Sequence, residues 1–338
     1  MSPLILVTGC SGFIGCEIAL SALEQGSRVR GAVRREEQGE LFFERYPSIP
    51  REVLEFVVVE NMCKEGAWDE AVEGVDYVVH TASPVSSDCV VDRAKNMLDP
   101  AINGTLNLLR AALKVESVKT LVMTSSSVAF MDFKNPKGAD EEYTEFDWNP
   151  MNYEEAADPN TFKSHTYAAS KALAERAALA FVRENNAHFG LVTVAPTWVL
   201  GPSRQPGFRR IADAPPTLAD TWASLVDSPT PMPPSPFPHF VDVRDVALVH
   251  LAALTHPAAH GKRFILAGGR FSNDVASQIL ASEFPEQAGR LQLGGDLDFG
   301  ETYDWADSFA AEDILGIEYT RFGKTIRDMG EQFFALPK

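Results

Sequence analysis

Short apolar runs alternate with segments of helical period along the N-terminal part of the chain. Amphipathic helices repeat apolar positions every three or four residues, whereas strands buried on both faces are continuously apolar. Helical spacing is clear at residues 15–25 and 100–115. Buried strands are predicted at residues 4–7, 28–33, 55–59, 77–80, 120–123 and 191–194. This alternation predicts an α/β fold, a doubly wound, Rossmann-type parallel sheet with helices on both faces.

A glycine-rich turn directly follows the first predicted strand. Residues 9–15 read Gly-Cys-Ser-Gly-Phe-Ile-Gly, and a helical segment begins within this run. Glycines allow the backbone to approach a ligand closely, and a helix N-terminus offers unpaired N–H groups to an anion. The spacing G-x-x-G-x-x-G differs from the G-x-G-x-x-G fingerprint, so the position between strand and helix carries the interpretation. We predict that a nicotinamide dinucleotide binds at this turn.

The regular alternation ends near Thr197. Residues 228–238 contain six prolines, which exclude a helix or a central strand and favour extended backbone. We interpret this segment as a loop of a second, smaller domain; a surface connector to a strand at 239–243 is the alternative. The predicted division assigns residues 1–196 plus 241–266 to a cofactor-binding Rossmann domain and residues 197–240 plus 267–338 to a smaller C-terminal substrate domain.

Composition and charge narrow the function classes. The 338 residues are enough for about two domains, and none of the apolar runs is long enough to cross a membrane. No signal peptide is visible, so we expect a soluble, cytoplasmic protein. The net charge of −17, with no Lys/Arg run longer than two residues, argues against nucleic acid as a partner.

Cysteine and histidine usage suggests neither disulfides nor a metal site. The seven histidines lack suitably spaced partners, and we expect His80 to pack behind the cofactor. Cys10 lies in the glycine turn at a helix N-terminus, which stabilises thiolate, so we predict a lowered pKa and alkylation that bound cofactor slows. All four cysteines are expected to be reduced thiols: Cys10, Cys16, Cys63 and Cys89.

Tyr167 and Lys171 lie four positions apart in a helical segment and therefore share one face. A nearby ammonium favours phenolate and lowers a phenol pKa that is about 10 when unperturbed. A phenol tuned in this way can give its proton to a carbonyl oxygen as hydride arrives. Such a pair is common on helices, but here three serines, residues 125–127, follow the fifth predicted strand. Ligands bind at the carboxyl ends of the strands in open α/β sheets.

Together, the glycine turn, the serine-terminated fifth strand and the Tyr-x-x-x-Lys pair resemble the extended short-chain dehydrogenase/reductase family. The closer resemblance is to its dihydroflavonol-reductase-like branch, which includes fungal NADPH-dependent aldehyde, ketone and methylglyoxal reductases. Further matching motifs are Val-Arg-Gly-Ala-Val-Arg at 29–34, Val-His-Thr-Ala-Ser-Pro at 79–84, Pro-Ala-Ile-Asn-Gly-Thr at 100–105, Val-Met-Thr-Ser-Ser at 122–126 and Phe-Val-Asp-Val-Arg-Asp-Val-Ala at 240–247. The resemblance spans nearly the whole chain.

The resemblance implies roles for individual residues. Ser126 would hold the substrate carbonyl, Tyr167 would donate the proton, and Lys171 would both tune Tyr167 and hold the nicotinamide ribose. Ser125 and Ser127 stay open as alternatives, because a one-residue shift in register would exchange the two faces of the strand. The implied cofactor-binding residues are Gly9, Ser11, Gly12, Phe13, Ile14, Arg34, Arg35, Asn61, Met62, Thr81, Ala82, Ser83, Tyr167, Lys171, Pro196 and Thr197.

Charge at the end of the second strand bears on which nicotinamide cofactor binds. NAD-selective folds place a carboxylate about 20 residues into the unit, whereas Arg34, followed by Arg35, lies 19 positions after Gly15. Two guanidiniums suit a 2′-phosphate, so NADPH is favoured. Relatives carry Asp near the adenine, where this chain has Asn61; an amide oxygen can still accept a hydrogen bond there.

The residues expected around the substrate are mostly apolar, which favours a small or aryl aldehyde, a diketone or a ketoester. Two alternatives are a nucleotide-sugar epimerase or dehydratase of the same fold and a non-catalytic NADP-sensing regulatory protein. Arg34 and Arg35 argue against the first, and the Tyr/Lys pair argues against the second. The implied substrate-binding residues are Val85, Ser126, Phe130, Tyr167 and Trp198, with Phe133, Val199 and residues 233–237 nearby.

Overall fold

A computed structural model describes residues 2–84, 92–137, 141–228, 239–293 and 309–337. The strands are β1 (Leu4–Thr8), β2 (Arg28–Val33), β3 (Leu54–Val58), β4 (Tyr77–His80), β5 (Thr120–Thr124), β6 (Gly190–Pro196), β7 (Trp198–Leu200), β8 (His239–Asp242), β9 (Arg263–Leu266) and β10 (Gly269–Arg270). The α-helices are α1 (Phe13–Glu24), α2 (Glu36–Arg45), α3 (Asp69–Val72), α4 (Asp99–Leu113), α5 (Tyr153–Ala157), α6 (Lys163–Glu184), α7 (Pro216–Leu225), α8 (Val243–Thr255), α9 (Asn273–Glu283), α10 (Phe309–Leu315) and α11 (Phe322–Phe334).

Seven strands form one parallel sheet in the order β3-β2-β1-β4-β5-β6-β9. Chain order reverses between β1 and β4, so the carboxyl ends of these two strands border a crevice where ligands bind in such sheets. The prediction of a doubly wound, Rossmann-type α/β fold is confirmed. The six predicted strands are all present and differ from the observed bounds by at most two residues at either end.

β9 was not among the predicted strands. It contains only four residues, Arg263–Leu266, and adds to the edge of the sheet beside β6. Its place in the sheet is set by the edge of β6 in the assembled fold and not by a local pattern. The chain therefore returns to the large sheet after β7, α7 and β8 and before β10, α9 and α11.

The two faces of the sheet are buried by different helices. Because successive strand residues point to opposite faces, Ile5 and Val7 pack with residues of α1 and α8, whereas Leu4 and Leu6 pack with residues of α3, α4 and α6. Every residue of the central strands β1 and β5 is buried between these helices, which explains why these two strands are largely apolar in sequence.

A second apolar cluster lies outside the large sheet. It joins the small sheet, ordered β10-β8-β7, to α7, α9 and α11, with Trp222, Phe271 and Phe333 among its buried rings. The predicted boundary between residues 240 and 241 falls inside β8, and the division into two domains stays a prediction. Most of the proline-rich segment, residues 229–238, lies outside the described residues.

Over the described ranges, no helix combines the length and apolar character needed to cross a bilayer. Within the same ranges, three or more potential metal ligands never cluster. Cys10, Cys16 and Cys63 are free thiols, and Cys89 lies outside the described residues.

Candidate active site

The glycine-rich turn connects β1 to α1 and packs tightly against the end of β4. Gly9 has a φ of +65°, which side chains rarely adopt. A Cβ at Gly15 would lie 2.3 Å from the Gly9 carbonyl oxygen and 2.8 Å from Thr81 Oγ1, so only glycine fits there. Helix α1 begins at Phe13 behind Gly12, which has no side chain to cap it. The first-turn N–H groups are therefore left for a ligand.

Hydrogen bonds fix the end of β4 against this turn. Thr81 Oγ1 donates to the Thr8 carbonyl at 2.6 Å, and the Ala82 N–H donates to Thr8 Oγ1 at 3.1 Å. Thr8 Oγ1 also lies 2.8 Å from His80 Nδ1, whose Nε2 lies 3.2 Å from Thr105 Oγ1. Burial lowers the pKa of His80 to about 3. The imidazole is therefore neutral and accepts from Thr8, a structural role behind the turn.

Arg34 and Arg35, which are predicted to bind a 2′-phosphate, lie directly after β2 and are exposed. The backbone N–H groups of Arg34 and Arg35 both donate to Gln38 Oε1, at 2.9 and 3.1 Å. Arg35 approaches only the exposed Glu37, at 3.9 Å. Among the described residues, no carboxylate lies within ion-pair distance of the Arg34 guanidinium. Both cations are therefore available to an anionic ligand at this edge.

Asn61 and Met62 follow β3. Asn61 is exposed, and its Oδ1 accepts from the Cys63 N–H at 2.9 Å, which leaves the amide NH₂ outward. Met62 packs on α4 so closely that a Cβ at Gly104 would lie 2.1 Å from its Cε. The amide oxygen expected to meet adenine is thus engaged in a local turn, and its second lone pair and the NH₂ group remain for a ligand.

The structure brings Ser126 and Tyr167 together at the carboxyl end of β5. The Ser126 hydroxyl lies close enough to the Tyr167 phenol to lower the pKa of that phenol. Ser125 instead points into the core, where its Oγ donates to Glu175 Oε2 at 2.6 Å, and Ser127 is buried in a short 3₁₀ turn. Of the three serines left open by sequence, Ser126 is therefore the one that acts on the Tyr167 phenol among the described residues.

Lys171 lies one turn of α6 after Tyr167. Its Nζ donates to the Thr124 carbonyl at 3.4 Å and lies 5.9 Å from the centroid of the Tyr167 ring. Burial lowers the pKa of Lys171 to about 8, and the nearby charge of Glu175 opposes that shift. At neutral pH the ammonium is therefore still largely cationic.

The predicted lowering of the Tyr167 pKa is wrong. Desolvation raises the pKa of this half-buried phenol, and the nearby Ser126 hydroxyl offsets only part of that effect. Loss of phenolate hydration has the larger effect here, and it depends on the fold rather than on the neighbouring sequence.

Glu175, not selected from the sequence, lies one turn beyond Lys171 and is completely buried. Its Oε1 accepts from Thr193 Oγ1 and from Arg263 Nε, both at 2.7 Å. With Ser125 on the other oxygen, the carboxylate joins β5, β6 and β9 beneath the site. An acidic residue at this helical spacing, within an alanine-rich stretch, was the available signal.

Two predicted substrate residues have different surroundings. The Phe130 ring is 1% exposed and is covered by the Arg263 guanidinium at 3.9 Å from its centroid, so it lies in the core rather than on a pocket wall. Trp198 is half-buried, and its indole Nε1 donates to Thr221 Oγ1 at 2.9 Å. Phe133 stacks on His165 at 4.7 Å. Val85 and residues 233–237 lie outside the described residues.

The remaining predicted cofactor residues follow the carboxyl ends of β1, β4 and β6 along the chain. Ser83 is half-buried directly after Ala82, and Ile14 is half-buried in the first turn of α1. Pro196 ends β6. The Thr197 N–H and Oγ1 both donate to the Leu266 carbonyl, at 3.0 and 2.8 Å, which fixes the backbone where β6 leaves the sheet.

The predicted reactivity of Cys10 is also wrong. Its side chain is fully buried, and desolvation raises the pKa of the thiol to about 12. A Cβ at Gly31 would lie 2.9 Å from Cys10 Sγ, so the thiol packs against β2 in the core rather than facing a ligand at the turn. A location in a turn does not reveal which way the side chain points.

Comparisons with known proteins agree with this geometry. Ketoreductase azaE of Aspergillus niger is 35% identical over 347 aligned positions, covering 98% of this chain and 99% of that protein. NADPH-dependent methylglyoxal reductase GRE2 of Saccharomyces cerevisiae is 30% identical and covers 97% of each chain. The crystal structure of Gre2 in complex with NADPH from Candida albicans matches with a TM-score of 0.88 at 26% identity, covering 99% of this chain and 100% of that one.

The family model that matches is that of the NAD dependent epimerase/dehydratase family, over residues 5–267. This range runs from β1 to the end of β9 and includes the glycine turn, Ser126, Tyr167 and Lys171. The chain therefore belongs to the NAD dependent epimerase/dehydratase family of extended short-chain dehydrogenases/reductases.

Proposed function

We propose that this chain is an NADPH-dependent carbonyl reductase that transfers hydride to an aldehyde or ketone. The observation that carries the proposal is the grouping of Ser126, Tyr167 and Lys171 at the carboxyl end of β5: Ser126 lies beside the Tyr167 phenol, and Lys171 lies one helical turn away. The names of the relatives, a ketoreductase and an NADPH-dependent methylglyoxal reductase, support the same chemistry.

The residues present fit NADPH. The pyrophosphate would lie on the uncapped start of α1, where the packing at Gly9 and Gly15 leaves no room for side chains. Arg34 and Arg35 would hold the 2′-phosphate. Lys171 would hold the nicotinamide ribose, and Pro196 and Thr197 would border the ring. When bound, the cofactor supplies the hydride.

Proton transfer is the task of the chain's own residues. Ser126 would donate a hydrogen bond to the substrate carbonyl oxygen, and Tyr167 would pass its phenolic proton to that oxygen as the alcohol forms. The raised pKa of Tyr167 suits this direction, because the phenol keeps its proton at neutral pH until the carbonyl oxygen gains charge. The Lys171 ammonium would then stabilise the phenolate that remains.

Replacing Arg34 tests the cofactor assignment. Each charge-assisted hydrogen bond contributes about 1.5–3 kcal/mol, so we expect Arg34→Ala to raise the KM for NADPH by about tenfold or more. The KM for NADH should change little, because NADH has no 2′-phosphate. Steady-state kinetics with NADPH and with NADH give the two KM values and their ratio.

Arg51→Ala is the matched control, since it removes an equally exposed cation that pairs with Glu40 before β3, at the amino end of the strands. Arg51→Ala should keep the wild-type preference for NADPH over NADH. An unchanged NADPH/NADH preference in Arg34→Ala and in the Arg34→Ala/Arg35→Ala double variant would remove the assignment.

The substrate class is tested by NADPH oxidation with a panel of compounds. We expect turnover of small or aryl aldehydes, α-diketones and β-ketoesters, which bury apolar surface at about 25 cal/mol per Å². UDP-sugars should not react, because each polar group left unpaired on burial costs about 1–3 kcal/mol. Turnover of UDP-sugars with no carbonyl reduction would instead establish an epimerase or dehydratase, and NADPH binding without any turnover would indicate a sensing protein.

Trp198 is the described residue expected to select among these carbonyls. Trp198→Ala should shift the ratio of kcat/KM values between an aryl and a small aldehyde by about tenfold, with the Kd for NADPH changed by less than about twofold. Trp222→Phe, in the same apolar cluster but 4% exposed, should keep the wild-type ratio. If the ratio of kcat/KM values for the two aldehydes were the same in wild type, Trp198→Ala and Trp222→Phe, Trp198 would be excluded from the substrate pocket.

A further inference from the structure

Residues 203–209, between β7 and α7, form a bridging segment that reaches from the small sheet to α1. Arg204 makes most of these contacts. Its Nε and Nη2 donate to the two Glu17 oxygens at 2.8 and 2.9 Å, and its Nη1 donates to Glu24 at 2.5 Å. Its carbonyl accepts from Tyr46 Oη at 2.5 Å and from Cys16 Sγ at 3.1 Å. The segment is thus fixed on the helix that follows the glycine turn.

Glu17 makes this contact more than a surface ion pair. It lies in the second turn of α1 and is 4% exposed. A buried carboxylate without a counter-ion is costly, so the bidentate Arg204 guanidinium neutralises a charge that the helix could not otherwise hold there. An unneutralised anion at this position would also oppose the positive end of the helix dipole, on which an anionic ligand depends.

The residue after Arg204 reaches the glycine turn itself. Gln205 Nε2 donates to the Ser11 carbonyl at 3.3 Å. The other side of the segment is joined to α11, where the Ser203 N–H donates to Gln332 Oε1 and Gln332 Nε2 donates to the Ser203 carbonyl, both at 2.7 Å. Phe208 packs on Phe333 with ring centroids 5.1 Å apart. The segment therefore links the C-terminal helix to the backbone of the turn.

We propose that Arg204 is a positioning residue for cofactor binding: it neutralises Glu17 and holds Gln205 against Ser11, so that the glycine turn keeps the conformation that receives a pyrophosphate. This inference rests on one part of the proposed function, the binding of a nicotinamide dinucleotide at the glycine turn. It assigns part of the affinity for the cofactor to a residue that does not contact the cofactor.

The test is direct titration of Arg204→Met with NADPH and with NADH, followed by protein fluorescence in the absence of substrate. The pyrophosphate is common to both cofactors, so both Kd values should rise by the same factor, about tenfold. Arg34→Ala should raise only the Kd for NADPH. At saturating NADPH, kcat for a carbonyl should stay within about twofold of wild type, because Arg204 lies outside the Ser126–Tyr167–Lys171 site.

Two further variants separate positioning from general loss of structure. Arg209→Met removes a guanidinium in the same segment that pairs only with the exposed Glu44, and it should leave both Kd values unchanged. The Glu17→Gln/Arg204→Met double variant has no buried charge to neutralise, so it should recover most of the affinity lost in Arg204→Met. Thermal unfolding of each variant shows whether it is folded at the temperature of the titration.

Wild-type Kd values for both cofactors in folded Arg204→Met would overturn the inference. A rise in the Kd for NADPH alone would also overturn it. No recovery in the folded double variant would overturn it too, since neutralisation would then not be the cause. Because the titration uses no carbonyl, failure of the proposed reductase activity would be seen separately, as wild-type protein that binds NADPH but does not oxidise it.

Discussion

We expect Tyr167→Phe to lower kcat for carbonyl reduction by about 10²- to 10⁴-fold, the usual contribution of a positioned general acid. The substitution keeps the ring and deletes the hydroxyl that lies beside Ser126. NADPH should still bind and quench protein fluorescence, since the glycine turn and Arg34 are untouched. Single-turnover and steady-state measurements of NADPH oxidation give kcat, and fluorescence titration gives the Kd.

Tyr153→Phe is the matched control, because it removes the hydroxyl of a tyrosine on α5 that donates to Asp99 of α4 at 2.7 Å. This variant should keep most of the activity. Lys171→Ala should lower both turnover and affinity for the cofactor, because the same ammonium would serve the phenolate and the ribose. If Tyr167→Phe retained more than about a tenth of the wild-type kcat, the pair would be structural rather than catalytic.

The largest expected effect on stability is at Glu175. Glu175→Ala leaves the Arg263 guanidinium, 8% exposed, without its counter-ion, and removes the acceptor for Ser125 and Thr193. Breaking a buried ion pair by deleting one partner typically costs about 3–5 kcal/mol. We therefore expect the free energy of unfolding, measured with urea, to fall by about that amount.

An exposed pair on the same protein provides the comparison. Glu155 bonds to Lys134 at 2.8 Å with both side chains solvent-accessible, so Glu155→Ala should lower the free energy of unfolding by less than about 1 kcal/mol beyond its helix-capping contribution. Glu175→Gln keeps the side-chain volume, so its free energy of unfolding should lie between the values for wild type and Glu175→Ala. A cost for Glu175→Ala no larger than that for Glu155→Ala would mean that Arg263 finds solvent or another partner when the carboxylate is lost.

The sheet could be predicted from sequence because its signal is local. Continuous apolar runs, a glycine turn between strand and helix, and helical spacing between runs each involve neighbouring residues. β9, Arg263–Leu266, was missed. Its place in the sheet depends on the exposed edge of β6, which is a property of the assembled fold.

Direction and burial of side chains explain the errors at the site. The serine run showed where the site lies, but choosing among its members required knowing that Ser125 faces Glu175 and Ser126 faces Tyr167. The pKa predictions for Cys10 and Tyr167 failed for one reason: desolvation in the folded chain raises both pKa values, and the sequence around each residue does not show it. The Arg204–Glu17 contact joins residues 187 positions apart, beyond any periodic pattern.

The late return of the chain to the large sheet constrains how this protein can be divided. A fragment ending with β6 would expose an unpaired parallel strand edge and would leave Glu175 buried without Arg263, which arrives only with β9. The large sheet is therefore not built from one contiguous piece of the chain. During synthesis its edge cannot be completed until the intervening segments, including β7 and β8, have left the ribosome, so α6 gains the support of Arg263 on Glu175 only after β9 has emerged.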